Sequence, residues 1–320
     1  MTGPRVVALG GGHGLSASLQ ALRQVTPHLT AVVTVADDGG SSGRLREELG
    51  ILPPGDLRMA LAALAGDDEW GRTWERLLQH RFGGEGPLAG HAVGNLLLAG
   101  LTEEGGDPVR ALDLASRLIG AVGRVLPMSC VPLEIVADVE GVAEPVVGQV
   151  AVATASGRVS AVRLRPVDPQ ACEESVAAVL DAEWVVLGPG SWFTSVLPHL
   201  LVPDLRRALV STSAQVLVCL NLAEQAGETA GFSPEAHLEV LRTHAPDLQL
   251  DVVLADREAV GDGRGLMAAV DAAGARLALA PVARGDGTPR HDPDRLAQAY
   301  SHVFTPTLDP SSTTEAQAWR

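Results

Sequence analysis

Three glycine-rich segments hold the residue types most able to do chemistry. The first, Gly10-Gly11-Gly12-His13-Gly14-Leu15-Ser16-Ala17, follows the apolar run Val6 to Leu9 and contains the pattern Gly12-x-Gly14-x-x-Ala17. Between a strand and a helix, such glycines let the backbone approach a pyrophosphate, whose charge the helix N-terminus attracts. Ligand contacts are therefore expected from Gly11, Gly12, His13, Gly14 and Leu15. A glycine-rich turn without a ligand fits the same letters, although four glycines in five residues exceed what a turn requires.

The second segment, Asp37-Asp38-Gly39-Gly40-Ser41-Ser42-Gly43-Arg44, closes the apolar run Thr30 to Val35. Its amides, the Ser41 and Ser42 hydroxyls and the Arg44 guanidinium can form an anion nest. Carboxylates beside such a nest suit a cation such as Mg2+, which makes Asp37 and Asp38 the candidate metal ligands and, with His91, the candidate catalytic groups. An Asx-capped surface loop is the plain alternative. The third segment runs from Gly188 through Pro189, Gly190 and Ser191 to Thr194 and Ser195. It too leaves a strand and enters a helix, so its amides can meet a ligand in the same crevice.

Shorter patterns add side chains. Pro53-Pro54-Gly55-Asp56-Leu57-Arg58 opens a helix with Asp56 as its N-cap, and Arg58 joins Arg44 as a cation for phosphate. His91 and Asn95 stand four apart, on one face of an expected helix; a satisfied core histidine is the alternative. Asn221, Gln225, Glu228 and Thr229 lie on a polar stretch after the apolar run Val216 to Leu220. It can read a base or sugar, or simply connect two elements.

The elements that must position these groups follow from periodicity. Strands are predicted at Arg5 to Leu9, Thr30 to Val35, Trp184 to Leu187, Gln215 to Leu220, Asp251 to Leu254 and Arg276 to Leu279, with helical spacing between them. Residues 52 to 126 read as mainly helical, with Asp107 as a further N-cap. Leu133 to Val139, Val147 to Thr154 and Val159 to Leu164 alternate, and Ser156-Gly157 predicts a hairpin between the last two. The fold class expected is α/β, a Rossmann-like doubly wound parallel sheet with an inserted helical and β-hairpin lobe. Residues 1–50 and 170–305 form the nucleotide-binding core in this reading, 51–169 the inserted lobe and 306–320 a disordered tail.

Bulk composition narrows the function. All 24 basic residues are Arg, and the formal charge is −15. The missing Lys excludes a Walker-type phosphate loop and Schiff-base chemistry. The acidic balance disfavours general nucleic-acid binding, so no nucleic-acid partner is expected. With no run of membrane-spanning length and no signal-peptide core, the reading is a cytoplasmic protein without membrane insertion. Cys130, Cys172 and Cys219 fit neither a disulfide framework nor a zinc site and read as buried thiols.

Six motifs in order, GGGHGLS, ADDGGSSGRLR, LPPGDLR, GHAVGNLLL, LGPGSWFTSVLPHLL and NLAEQAGET, span Gly10 to Thr229. Together they resemble the gluconeogenesis factor family, CofD-like relatives of 2-phospho-L-lactate transferase. The resemblance implies a Rossmann-like core that binds a nucleotide-sugar of the UDP-sugar type. It also implies a role in carbon metabolism and in cell-wall and cell-shape control on gluconeogenic carbon. The transferase relatives imply the alternative, a Mg2+-assisted phospholactyl transfer with Asp37 and Asp38 in the metal region. Homo-oligomerisation is left open by the sequence.

Overall fold

The structure, a computed structural model, describes residues 3–225 and 227–305; the expected tail at 306–320 lies outside the described residues. Ten strands occur in it: β1 (Val6–Gly10), β2 (Leu29–Val33), β3 (Arg124–Pro127), β4 (Glu134–Val139), β5 (Val146–Val147), β6 (Val159–Arg165), β7 (Trp184–Leu187), β8 (Gln215–Cys219), β9 (Val252–Asp256) and β10 (Arg276–Ala280). Seven of them build one sheet in the order β10-β9-β8-β7-β1-β2-β3, and every neighbouring pair is parallel. The central strands are apolar along their whole length and fully buried, as a sheet covered on both faces demands. From β1 the chain steps outward to β2 and β3, then returns to β7 on the far side of β1 and steps outward to β10. Strand order thus reverses between β1 and β7, and a crevice opens beyond their carboxyl ends.

Helices cover this sheet. Gly12–Val25 packs against Pro54–Leu64 and Pro293–Phe304, and a buried hydrogen bond of 2.9 Å joins Ser18 Oγ to the Tyr300 hydroxyl. Leu, Val and Ala fill most of the core, and the scarce aromatics Trp192, Tyr300 and Phe193 are its largest fully buried side chains.

Three local expectations need correction. Residues 147–154 do not form a hairpin strand: the positive φ of Gly148 (99°) breaks the extended run, and Gln149–Ala153 is helical. Asp38 decides this, because its Oδ1 accepts the Val150 N–H at 3.0 Å and caps that turn, a tertiary contact that outweighs β-propensity. β6 pairs instead with β4, antiparallel, in a small sheet of order β5-β4-β6. Segment 39–44 is not a loop, since a helix already starts at Gly40 (Gly40–Leu49). Asp56 is not an N-cap; Pro53 holds that position and Asp56 lies in the first turn of Pro54–Leu64. Asp107 does cap its helix, accepting the N–H groups of Val109 and Arg110.

β3 comes from within the stretch read as an inserted lobe, yet pairs with β2 as an edge of the large sheet. The small sheet therefore hangs from the core by two connections, 128–133 outward and 166–172 on return. Of the cysteines, Cys172 and Cys219 are buried and Cys130 is exposed, against the expectation of three buried thiols.

Replacing Asp38 by Ala should remove a cap worth about 1 kcal/mol. The expected result is faster amide exchange in Gln149–Ala153 with unchanged exchange in β1. Unchanged exchange in both would show that Asp38 does not hold this turn.

Candidate functional site

A cavity of about 520 Å³ sits at the β1/β7 reversal. Its walls bring together Gly11, Gly12, His13 and Gly14 after β1, Pro189, Gly190 and Ser191 after β7, and 221–225 after β8. The Gly12–Val25 helix begins in this wall, so the positive end of its dipole lies at the space. Close packing of the two loops requires glycine. A Cβ on Gly14 would fall 2.5 Å from Gly190 Cα and strike the Pro189 carbonyl, while one on Gly11 would fall 2.5 Å from Asp56 Oδ2.

Polar residues of the 221–229 stretch hold the β7 loop rather than crowd the cavity. Asn221 clasps Gly190 from both sides, accepting its N–H at 2.9 Å and donating to its carbonyl at 2.7 Å. Glu228 is buried and accepts from Ser191 Oγ (2.5 Å), Thr194 Oγ1 (2.9 Å) and the Phe193 N–H (3.2 Å), capping the helical turn Trp192–Val196. Thr229 accepts the Gln225 N–H at 2.8 Å, which leaves Gln225 on the cavity wall. Gly188 and Thr194 likewise shape the loop, and Leu15 is buried in the core.

A second cluster lies behind the first loop. Asp56 accepts the Thr34 hydroxyl at 3.1 Å, and the nearby Gly12 N–H favours its ionised form. Burial, together with the neighbouring Asp37 carboxylate, raises its pKa from 3.8 to about 6. Asp37 Oδ1 accepts the Gly39 N–H at 2.9 Å. The structure thus sets Asp37 beside Asp56, whereas Asp38 turns away to Val150. Among the described residues no group of three or more His, Cys, Asp or Glu is placed to hold a metal.

Ser41 and Asn95 continue this cluster. His91 precedes the Val93–Gly105 helix instead of sharing a face with Asn95, but Ser41 Oγ joins them, bonding His91 Nδ1 at 3.0 Å and Asn95 Nδ2 at 2.9 Å. Buried Arg58 donates to Asn95 Oδ1 at 2.9 Å and to Gln79; burial and the Arg81 charge lower its pKa to about 10. Burial also lowers the His91 pKa, helped by Arg44, whose guanidinium donates to the Ala89 carbonyl at 2.8 Å. Ser42 is buried beside Gly55.

The cations that reach the cavity are others. Arg284 and Arg290 line it, with His291 and, from the small sheet's side, Gln149. Neither arginine forms a side-chain hydrogen bond or an ion pair within 4.0 Å among the described residues, although, after the hydrogen bonds from Thr288, the charge of Arg284 helps hold the Asp286 carboxyl below its usual range. Asp256, at the end of β9, accepts the N–H groups of Val282 and Ala283 (2.8 and 2.9 Å) and fixes the start of their segment. The sequence signal for it was Arg284-Gly285-Asp286-Gly287 after the last strand, a turn with a cation beside it.

The model of the 2-phospho-L-lactate transferase CofD family matches residues 6–270. The chain belongs to that family, among its gluconeogenesis factors. A Mycobacterium tuberculosis protein named "Putative gluconeogenesis factor" is 57% identical over 307 residues, covering 93% of this chain and 90% of the relative. The "Gluconeogenesis factor" of Halalkalibacterium halodurans is 40% identical over 257 residues, covering 80% and 79% of the two chains. The crystal structure of a UPF0052 family member from Bacillus halodurans superimposes with a TM-score of 0.84 at 35% identity, covering 93% of this chain and 99% of that one. No described helix is long and apolar enough to cross a membrane.

The Asp56 environment yields a pH dependence. Its folded pKa lies above its unfolded value, so the ionised form costs stability at neutral pH, and that cost is recovered as pH falls through about 6. Between about pH 7.5 and pH 5, urea unfolding should show wild type gaining about 1.4 kcal/mol relative to Asp56→Asn. Parallel stability curves for the two proteins would contradict the assignment.

Proposed function

We propose that the chain binds a nucleotide-sugar of the UDP-sugar type and acts as a regulator of carbon metabolism and of cell shape and cell wall on gluconeogenic carbon. The observation that carries the binding reading is the cavity at the strand reversal. There a helix N-terminus, two glycine-rich loops and the arginines 284 and 290 converge, and neither guanidinium is taken up by a side-chain hydrogen bond, although Asp286 lies near Arg284. Helix-end amides and guanidinium forks are the groups that hold a diphosphate, and a cavity of about 520 Å³ has the size of a small-ligand site. The regulatory part rests on membership of the family.

One observation favours a second reading, phospholactyl transfer assisted by Mg2+. The Asp37–Asp56 pair is an oxygen donor set whose mutual repulsion and burial a divalent cation would relieve. Two carboxylates suit Mg2+ when substrate phosphates complete its shell. A cation held there would neutralise phosphate charge. Asp56, close to the Gly12 N–H, would keep the first loop in register with it. Turnover of a phospholactyl-nucleotide donor by wild-type protein, lost in Asp37→Asn, would establish this reading over the first.

Binding is tested by thermal shift with UDP-sugars, GDP and NAD, each with and without Mg2+. A bound ligand at about a hundred times its Kd should stabilise by about 2.7 kcal/mol. Arg284→Gln and Arg290→Gln should each weaken a UDP-sugar by about 1.5 to 3 kcal/mol, tenfold or more in Kd. Wild-type affinity in both variants would remove the arginines from the site.

A further inference from the structure

The two connections that carry the small sheet run side by side at its neck. The Cys172 N–H donates to the Met128 carbonyl at 3.2 Å, and the Ser129 hydroxyl donates to the Gln170 carbonyl at 2.7 Å. Each connection carries one cysteine, Cys130 on the outward path and Cys172 on the return. The two thiols are near enough to influence each other, and the Cys172 thiol donates to Glu174 Oε2 at 3.1 Å. Cys130 is exposed to solvent and Cys172 is fully buried.

We infer that Cys130 and Cys172 form a reversible oxidation site, a dithiol that low-molecular-weight disulfides convert into a disulfide across the neck of the small sheet. The asymmetry of the pair assigns the roles. Cys130 is open to solvent while Cys172 is buried, and the neighbouring Cys172 side chain holds the Cys130 thiol below its usual range, while that contact and burial push Cys172 up. Cys130 is therefore the attacking sulfur, and Cys172 the resolving one, as in thiol pairs that sense oxidants.

In the first step the Cys130 thiolate attacks one sulfur of RS–SR; a Cys130–SR bond forms, and RS⁻ leaves to take up a proton. In the second, Cys172 Sγ attacks Cys130 Sγ, the bond to SR breaks, and the second RS⁻ leaves with the proton of Cys172, for which Glu174 is the adjacent acceptor. Two protein thiols are oxidised and one small disulfide is reduced to two thiols. The site stands independently of the ligand reading. It bears on that ligand all the same, because the stapled segment carries Gln149 to the cavity wall.

The test treats the folded full chain with oxidised glutathione, blocks free thiols and maps the cysteines by mass spectrometry. Wild type should lose two hydrogen atoms and give a Cys130–Cys172 cross-linked peptide, with Cys219 still reduced because burial pushes its thiol up to about 12. Cys172→Ser should stop at a stable glutathione adduct on Cys130, and Cys130→Ser should react nowhere while folded. A wild-type protein that keeps the adduct on Cys130, or leaves Cys130 unmodified, would overturn the proposal. The wild-type map decides it even where a variant fails to fold.

Discussion

The site depends on one close approach, the backbone of Gly14 against that of Pro189 and Gly190. These residues follow β1 and β7, the pair at which the strand order reverses, so the contact closes the floor of the cavity. No side chain fits between the two loops. Their separation is then fixed by backbone contact, which yields far less than a side chain that can change rotamer. Asn221 and Glu228 serve this contact from behind, one clasping Gly190 and the other capping the turn that follows. Polar residues that look like ligand readers in the sequence thus act on the shape of the loop that faces the ligand.

Electrostatics divides the site into two sides. The open side holds the helix N-terminus and two arginines, a local reversal of the chain's charge of −15. The closed side holds Asp37 and Asp56 behind the first glycine loop, with Asp56 close to the Gly12 N–H. An ionised acid there attracts the loop amide, and its protonation weakens that attraction. The acids therefore belong to the stiffness of the phosphate loop in the binding reading, and to its charge balance in the transfer reading.

Much of this was legible in the sequence, and the failures have physical reasons. Buried parallel strands are continuous apolar runs, so β1, β2 and β7 to β10 were readable from Val, Leu and Ala alone, and the three glycine-rich strand ends stood out. What periodicity could not show was tertiary choice. Gln149–Ala153 alternates like a strand but is helical because Asp38 caps it from over a hundred residues away. Arg58 looks like a phosphate cation but is taken up by Asn95 and Gln79. Arg284 and Arg290 were hidden because a turn rich in Gly, Asp and Pro after the last strand carries no periodicity, and only folding lays it across the cavity. The adjacent acids misled in the same way, since neighbouring residues diverge and Asp37 finds its companion at Asp56.

The most direct measurement of the account is amide hydrogen exchange across the full chain, with and without a saturating UDP-sugar. Slower exchange is expected in four separated stretches together, 11–14, 189–191, 221–225 and 284–291, with little change on the outer helices Glu173–Asp181 and Pro203–Ser211. Protection confined to those outer helices, or a bound ligand that leaves the 11–14 and 189–191 amides unprotected, would contradict it.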